Sequence, residues 1–437
     1  MEPRLVIRDA VLAGPEPRAG ATIVVEGRQV AAVLGDGERV ESRPGDWEVE
    51  AAGRLVVPGG VDAHCHLAVG QLLRLAALPP RLWHSVSEMR TQFRAPLEAQ
   101  LDPEALEALA AAGALAALRA GITCVLDLTR GAPGREEEAL PAVARGVRKA
   151  GIRAALAYGT NDLGGEDRGL AAVRAGAAFA REVAGDRCLR GMAGLDGLAA
   201  TGARTLAALA EPASRDGLHA SVAEDDADLA HAYAAAFLRP VPYLGQSGLL
   251  GPQTVVAHGS TTGGDEAALL SRAEALLAVA PRASFSWGVP LPPLDALAVH
   301  DVSIALGTDG LYPDLAGEAL ALEMTLRRTR GEAPFYSELL GHVLWPGGAA
   351  FASRLWGTPV GTIAAGALAD LVVLDWRPPF PMPEASAGDS ALLWAGAPAA
   401  WTIVDGVVRL REGRLLGGDE AEIAARASQA AARVLGP

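Results

Sequence analysis

Two histidines one residue apart, in Val61-Asp62-Ala63-His64-Cys65-His66, are the strongest chemical signal in this 437-residue chain. They follow the apolar run Leu55-Val56-Val57 and a Pro58-Gly59-Gly60 corner. In an extended segment side chains alternate between faces, so His64 and His66 project to one side and their ring nitrogens can converge on one ion. The chain has eight histidines, and composition alone gives about 0.15 such pairs per chain of this length. Position adds weight, because the pair ends a strand-like run just after a turn, where a barrel presents side chains at its rim.

Further polar groups end other strand-like runs: Leu218-His219-Ala220-Ser221-Val222-Ala223-Glu224, Val255-Val256-Ala257-His258 and Leu306-Gly307-Thr308-Asp309-Gly310. Two histidines from one strand, a histidine from another and an aspartate from a last one make a metal-plus-base set suited to hydrolysis. Blander readings stand beside this one. Asp309 could cap the next segment, Glu224-Asp225-Asp226 could be a solvated acidic turn, and His258 could be a satisfied barrel histidine. His219 lies one layer below the rim and reads as an interior hydrogen-bonded residue. His84, His231, His300 and His342 read as surface or packing, as do Trp83, Trp287 and Tyr312.

The elements that must position these groups follow an α/β rhythm. Strand-like runs at 122–128, 153–158, 189–195, 218–222, 254–258, 283–287 and 303–308 alternate with helical periods such as 103–119 and 265–279. With the run ending at His66 that makes eight strands, the rhythm of a (β/α)8 TIM barrel. A doubly wound sheet competes less well, since no Gly-rich phosphate loop opens any helix. Short β-like pieces precede the barrel, with Glu26-Gly27-Arg28 as a hairpin turn, and return at 361–375 and 401–409. Residues 1–57 and 358–416 are therefore expected to build one β-sandwich around a barrel at 58–357, with a C-terminal helix at 417–437 and a Pro-rich loop at 378–386.

At these residues the chain resembles the amidohydrolase superfamily, in its cytosine deaminase and chlorohydrolase branch and most closely the SsnA aminohydrolases. The resemblance rests on Pro58-Gly-Gly-Val-Asp-Ala-His-Cys-His66, Gly121-Ile-Thr-Cys-Val-Leu-Asp127, Val222-Ala-Glu-Asp-Asp226, Leu306-Gly-Thr-Asp-Gly310, Gly366-Ala-Leu-Ala-Asp-Leu-Val-Val-Leu-Asp375 and Ile403-Val-Asp-Gly406. It implies hydrolytic removal of an amino or halide group from a nitrogen-rich, often heterocyclic, carbon. It also implies His64 and His66 as metal ligands, Asp309 as ligand and general base, Glu224 as proton shuttle, and His258 as the residue that orients the attacking water. Zinc is the metal implied, with iron or manganese as alternatives.

Three departures from the family pattern fall in one pocket. Ser221 stands where relatives carry a fifth-strand metal-ligand histidine, and serine is a poor ligand for such an ion. Asp196 in Gly194-Leu195-Asp196 replaces a histidine that faces substrate, which makes it a candidate contact for a cationic group. Val279-Ala-Pro-Arg-Ala-Ser284 replaces His-Asn-Pro-x-Ser-Asn, leaving Arg282 as a candidate polar contact. His64, His66 and Asp309 still form a two-histidine, one-carboxylate set, and His219 is a less favoured substitute for the missing ligand. The competing reading is a degenerate member without metal that serves as a binding or complex-forming subunit.

Composition narrows the partners. A net charge of −14 argues against nucleic acid or anionic lipid and for a small-molecule substrate. The start of the chain lacks a signal-peptide pattern and no apolar run is long enough to span a bilayer, so the cytoplasm is expected. Cys65, Cys124 and Cys188 show no C-x-x-C spacing and read as reduced. The resemblance makes a homodimer the expected assembly. Substrate choice is expected to lie in loops 71–93 and 307–317.

Overall fold

The computed structural model describes residues 4–12, 18–38, 40–75, 85–330, 339–341, 343–379 and 395–436. Eight parallel strands follow one another in chain order: Gly60–Cys65, Ile122–Thr129, Arg153–Tyr158, Leu189–Asp196, Leu218–Val222, Thr254–His258, Leu276–Val279 and Ser303–Leu306. The first and eighth meet where Thr308 N and Asp309 N both donate to His64 O, at 3.0 and 2.9 Å. This is the expected TIM barrel.

Alternation sorts the strand residues. Val61, Cys124, Leu126, Ala155, Val255 and Ala278 pack together inside, over Phe351 and Trp356 of the helix Pro346–Trp356. Val125, Leu156, Leu218, Ala220 and Val256 pack outward against the helices. The helix Pro103–Arg119 starts where Asp102 caps Ala105 N at 2.7 Å with Pro103 in the first turn, a pairing of acceptor and fixed φ that favours helix entry.

The seventh strand differs from expectation. Residues 283–287 belong to a helix, Pro281–Trp287, ended by Gly288 at φ 71°. The strand is Leu276–Val279, an apolar run that the sequence alone assigns to the end of a helix over 265–279. That helix spans Gly264–Arg272, and Glu274 turns out of it with φ 54°. Four apolar residues beside an amphipathic helix have no period of their own, so pattern could not separate them.

Both termini feed one nine-stranded sheet. Arg4–Leu12, Arg18–Glu26, Gln29–Leu34, Trp47–Glu50 and Leu55–Pro58 join Leu371–Leu374, Ala399–Val404, Val407–Arg411 and Arg414–Leu415, with Ile7, Ile23, Val373 and Ile403 in its core. Leu55–Pro58 leads through Gly59 directly into the first barrel strand. We propose the limits 1–57, 58–357, 358–416 and 417–437 as the corresponding division of the chain. An ionic tie joins the two parts: Arg153, fully buried, reaches Asp370 at 2.7 Å and Asp405 at 3.2 Å. The helix Glu420–Leu435 closes the chain, with Asp419 capping Glu422 N. Trp83, His84, His342 and residues 380–386 of the Pro-rich loop lie outside the described residues.

Candidate metal centre and active site

Backbone irregularities deliver the donors to the barrel mouth. On the first strand Asp62 is level with Val125 but Cys65 with Asp127, one residue more than on the neighbouring strand. Such a bulge re-aims side chains. Val61 packs in the barrel interior and Cys65 against the helices, so His64 and His66 turn inward together. Asp127 fixes the chain beyond them by accepting from Leu67 N at 2.7 Å. Strict alternation would send His258 outward with Val256; its φ of 76° breaks that alternation. Asp309 is also left-handed, at φ 52°. Two such non-glycine residues at one mouth, each costing about 1–3 kcal/mol, point to a site that needs them. Gly307 and Gly310 flank Asp309 because a Cβ at either would meet the His64 or His66 backbone at 2.9 and 2.6 Å.

The donors converge. His64 Nε2 and His66 Nε2 lie 3.3 and 3.2 Å from the same oxygen, Asp309 Oδ1, and neither nitrogen makes a hydrogen bond. The His258 ring is centred 4.8 Å from that of His64, and ligand atoms of His64, His258 and Asp309 lie within 4.8 Å of one another. His66 Nδ1 meets Leu128 O. A carbonyl only accepts, so Nδ1 carries the proton and Nε2 presents a lone pair. Burial pushes His64 down to about 4, leaving it neutral at pH 7, the state in which imidazole binds metal. Burial would raise Asp309, but without an ion between them protons on the two imidazoles hold it well below the usual carboxylate range. Paired bare nitrogens facing an ionised carboxylate in a buried pocket fit a divalent cation, and an N,N,N,O donor set suits zinc, with iron and manganese as weaker matches.

Ser221 is buried and its Oγ has no hydrogen-bond partner. His219, on the same face of the fifth strand, does not take over as a rim donor. Its Nε2 sits 2.8 Å from His64 Nδ1, beneath that ring. His258 is placed among the donors themselves.

Glu224 is buried and paired rather than solvated. Arg90 Nη2 grips Glu224 Oε2, and Glu224 Oε1 lies 3.6 Å from His258 Nε2. Burial would raise its pKa, but Arg90 and then His258 outweigh burial and hold it below the ordinary value. Asp196 is fully buried and faces Arg90 and Arg94 at 3.4 Å and Arg130 at 3.7 Å. Those three guanidinium groups already supply its cationic partners. Arg282 spends its donors on Glu318 at 2.7 Å and on the carbonyls of Tyr312 and Asp314 at 3.1 and 2.6 Å, bracing the loop beyond Asp309.

Two groups of residues at this mouth are not readable from motif spacing. Trp287 Nε1 donates to Asp309 Oδ2 at 3.0 Å, although it sits on a helix the strand pattern misassigns. Arg90 and Arg94 come from a single π turn, Arg90–Arg94, and both side chains are buried; such turns are frequent at functional sites. Their signal was faint: two arginines four apart in a stretch without a motif.

Residues 55–408 match the Amidohydrolase family. A 5'-deoxyadenosine deaminase of Methanothermobacter thermautotrophicus is 27% identical over 405 residues, covering 90% of this chain and 91% of its own. A 5-methylthioadenosine/S-adenosylhomocysteine deaminase of Halobacterium salinarum is 30% identical over 406 residues, covering 89% and 90%. An adenosine deaminase of Xanthomonas campestris with bound zinc superposes with TM-score 0.81 at 19% identity, covering 99% of this chain and 98% of that one. A triazine hydrolase from Arthrobacter aurescens reaches 0.81 at 18%, covering 98% and 100%. The matched span and the barrel with its terminal sheet place the chain in the amidohydrolase family, as a hydrolase of non-peptide C–N bonds.

Proposed function

We propose that the chain is a metal-dependent aminohydrolase that removes an amino group from a purine or a similar nitrogen-rich ring, with His64, His66, His258 and Asp309 holding one divalent ion, zinc ahead of iron or manganese. The observation that carries this reading is the pair of unpartnered imidazole nitrogens meeting one oxygen of Asp309. The substrate class draws on the names of the relatives, deaminases of 5'-deoxyadenosine and of 5-methylthioadenosine. A homodimer, implied by the family resemblance, and a cytoplasmic location belong to the same reading. Among the described residues no helix is long and apolar enough to cross a membrane.

When bound, the ion supplies Lewis acidity that brings the ionisation of a water toward pH 7. Asp309, oriented through Oδ2 by Trp287, is the base that takes the proton from the attacking water. Glu224, held as a carboxylate, takes up one proton from the water side and passes it to the departing amine. Arg90 orients Glu224 and, with Arg94 and Arg130, surrounds Asp196. Asp196 serves as the anchor of those arginines, and Arg282 as a brace.

Ser221 favours a second reading, a scaffold that binds without turnover. One experiment separates the two. Protein expressed with supplementary zinc is assayed for metal content and for ammonia release from adenosine, 5'-deoxyadenosine, 5-methylthioadenosine, cytosine and aminotriazines. About one equivalent of zinc with ammonia from an adenosine-type substrate supports the enzyme. Less than about 0.1 equivalent with no release from any substrate selects the scaffold.

A further inference from the structure

We propose that His219 is a positioning residue for the metal site: its Nε2 accepts the proton of His64 Nδ1 and so keeps the His64 Nε2 lone pair turned toward the ion. This rests on the metal-site reading above and adds a residue to it.

The two ligand histidines of the first strand are held in different ways. His66 meets a backbone carbonyl, Leu128 O, which accepts only and therefore fixes the ring without help. His64 meets another imidazole at 2.8 Å, and an imidazole nitrogen can either donate or accept. Only one choice suits a ligand. If His219 Nε2 donated, His64 would carry its proton on Nε2 and could not offer that atom to a cation. If His219 Nε2 accepts, His64 is protonated on Nδ1, its Nε2 is bare, and His219 carries its own proton on Nδ1. Among the described residues that last atom has no hydrogen-bond partner, and neither has His64 Nε2.

Packing gives His219 no other reason to be there. The ring is wholly buried on the inner face of the fifth strand, between Leu218 and Ala220, which pack outward. The neighbouring interior positions are apolar, among them Met192 and Val255. An imidazole with one nitrogen unpaired is a costlier filling for such a layer than a leucine. Its one polar contact is to His64, and the rings lie 5.0 Å apart and nearly perpendicular, at 78°, so Nδ1 of one faces Nε2 of the other edge-on. With Ser221 offering no imidazole at the rim, the orientation of His64 matters more to the site.

The test uses the full chain loaded with zinc and three substitutions. His219→Gln places an amide oxygen near the Nε2 position and keeps an acceptor; His219→Asn places it near Nδ1, too far from His64; His219→Leu has none. Zinc affinity by chelator competition is expected to fall about 10–100-fold in His219→Leu and His219→Asn and to stay within about threefold of the parent in His219→Gln. In the zinc-loaded parent, nitrogen-15 histidine spectra are expected to show His219 protonated on Nδ1, the less common neutral tautomer. Equal zinc affinity in all four proteins, equal loss in all three variants, or His219 protonated on Nε2 overturns the proposal. Zinc binding that follows this pattern without any turnover supports His219 and refutes the aminohydrolase alone. A parent chain that binds no zinc refutes both.

Discussion

Replacing His258 by alanine asks whether its imidazole holds the ion or only orients a water beside it. Ligand atoms of His258, His64 and Asp309 lie within 4.8 Å of one another, and His66 Nε2 lies 3.2 Å from Asp309 Oδ1; the proposed site takes all four as donors to one ion. Structural four-donor zinc sites are worth roughly 10–16 kcal/mol, which is roughly 2.5–4 kcal/mol per donor if shared equally. Removing one donor is then expected to weaken zinc by about 10²–10³-fold. A residue that only orients a water, and holds neither the ion nor one of its ligands, is expected to leave zinc affinity nearly unchanged while still slowing turnover. Chelator-competition titration of the parent and His258→Ala at fixed pH measures the ratio directly. A ratio below about ten would refute the four-donor site and return the ion to His64, His66 and Asp309. The left-handed backbone at His258 provides a control. Relief of strain should make His258→Gly more stable than His258→Ala by up to about 1–2 kcal/mol, whatever the ring binds.

Arg153→Met breaks the fully buried tie to Asp370 and Asp405 and is expected to cost about 3–5 kcal/mol, read as a lower urea midpoint; a loss under about 1 kcal/mol would show the two parts of the chain to be joined by apolar contact alone. Trp287→Phe removes the N–H that holds Asp309 Oδ2, and kcat/KM is expected to fall roughly tenfold to hundredfold with zinc affinity retained; an unchanged kcat/KM would leave the indole as packing. Burial pushes Asp228 up to about 6, so its folded form holds a proton that the unfolded chain releases nearer 3.8. Its contribution to stability is complete below about pH 4 and is lost as pH rises through 6, roughly 3 kcal/mol in all. Asp228→Asn should therefore flatten the fall in thermal midpoint between pH 4.5 and 7, and equal slopes for the two proteins would sink the assignment.

How much of this was legible in the sequence depends on whether a residue's position follows from alternation. His64, His66 and Asp309 were visible as strand-end motifs, although the bulge that turns the first two inward and the left-handed φ of Asp309 were not. Six of the seven expected strands after the first fall where the apolar runs lie. The seventh did not, because Leu276–Val279 is too short to show a period and abuts a helix. The inward placement of His258 was also hidden, since it depends on a left-handed φ that no residue type announces. Asp196 looked like a contact for a cation and is one, but the cations are Arg90, Arg94 and Arg130 of the chain itself. Long-range ion pairs of this kind leave no mark in local pattern. Asp370 and Asp405, by contrast, sat in visible motifs whose purpose became clear only when Arg153 was found between them.

Glu224 is where the chemistry and the ion-pair network meet. Arg90 and His258 hold it as a carboxylate, a state that can accept a proton from the water side but must be protonated before it can serve a leaving amine. An amine leaves as a strong base and needs that proton, whereas chloride does not. If Glu224 is the shuttle, Glu224→Gln should slow ammonia release from a 6-aminopurine by about 10²–10⁴-fold, the usual worth of a placed general acid. Chloride release from the matching 6-chloropurine should fall by less than about tenfold. The glutamine keeps an acceptor for Arg90, so the comparison isolates the proton. Equal losses on both substrates would mean that Glu224 acts only as the anchor of Arg90 and that the proton reaches the leaving group by another route.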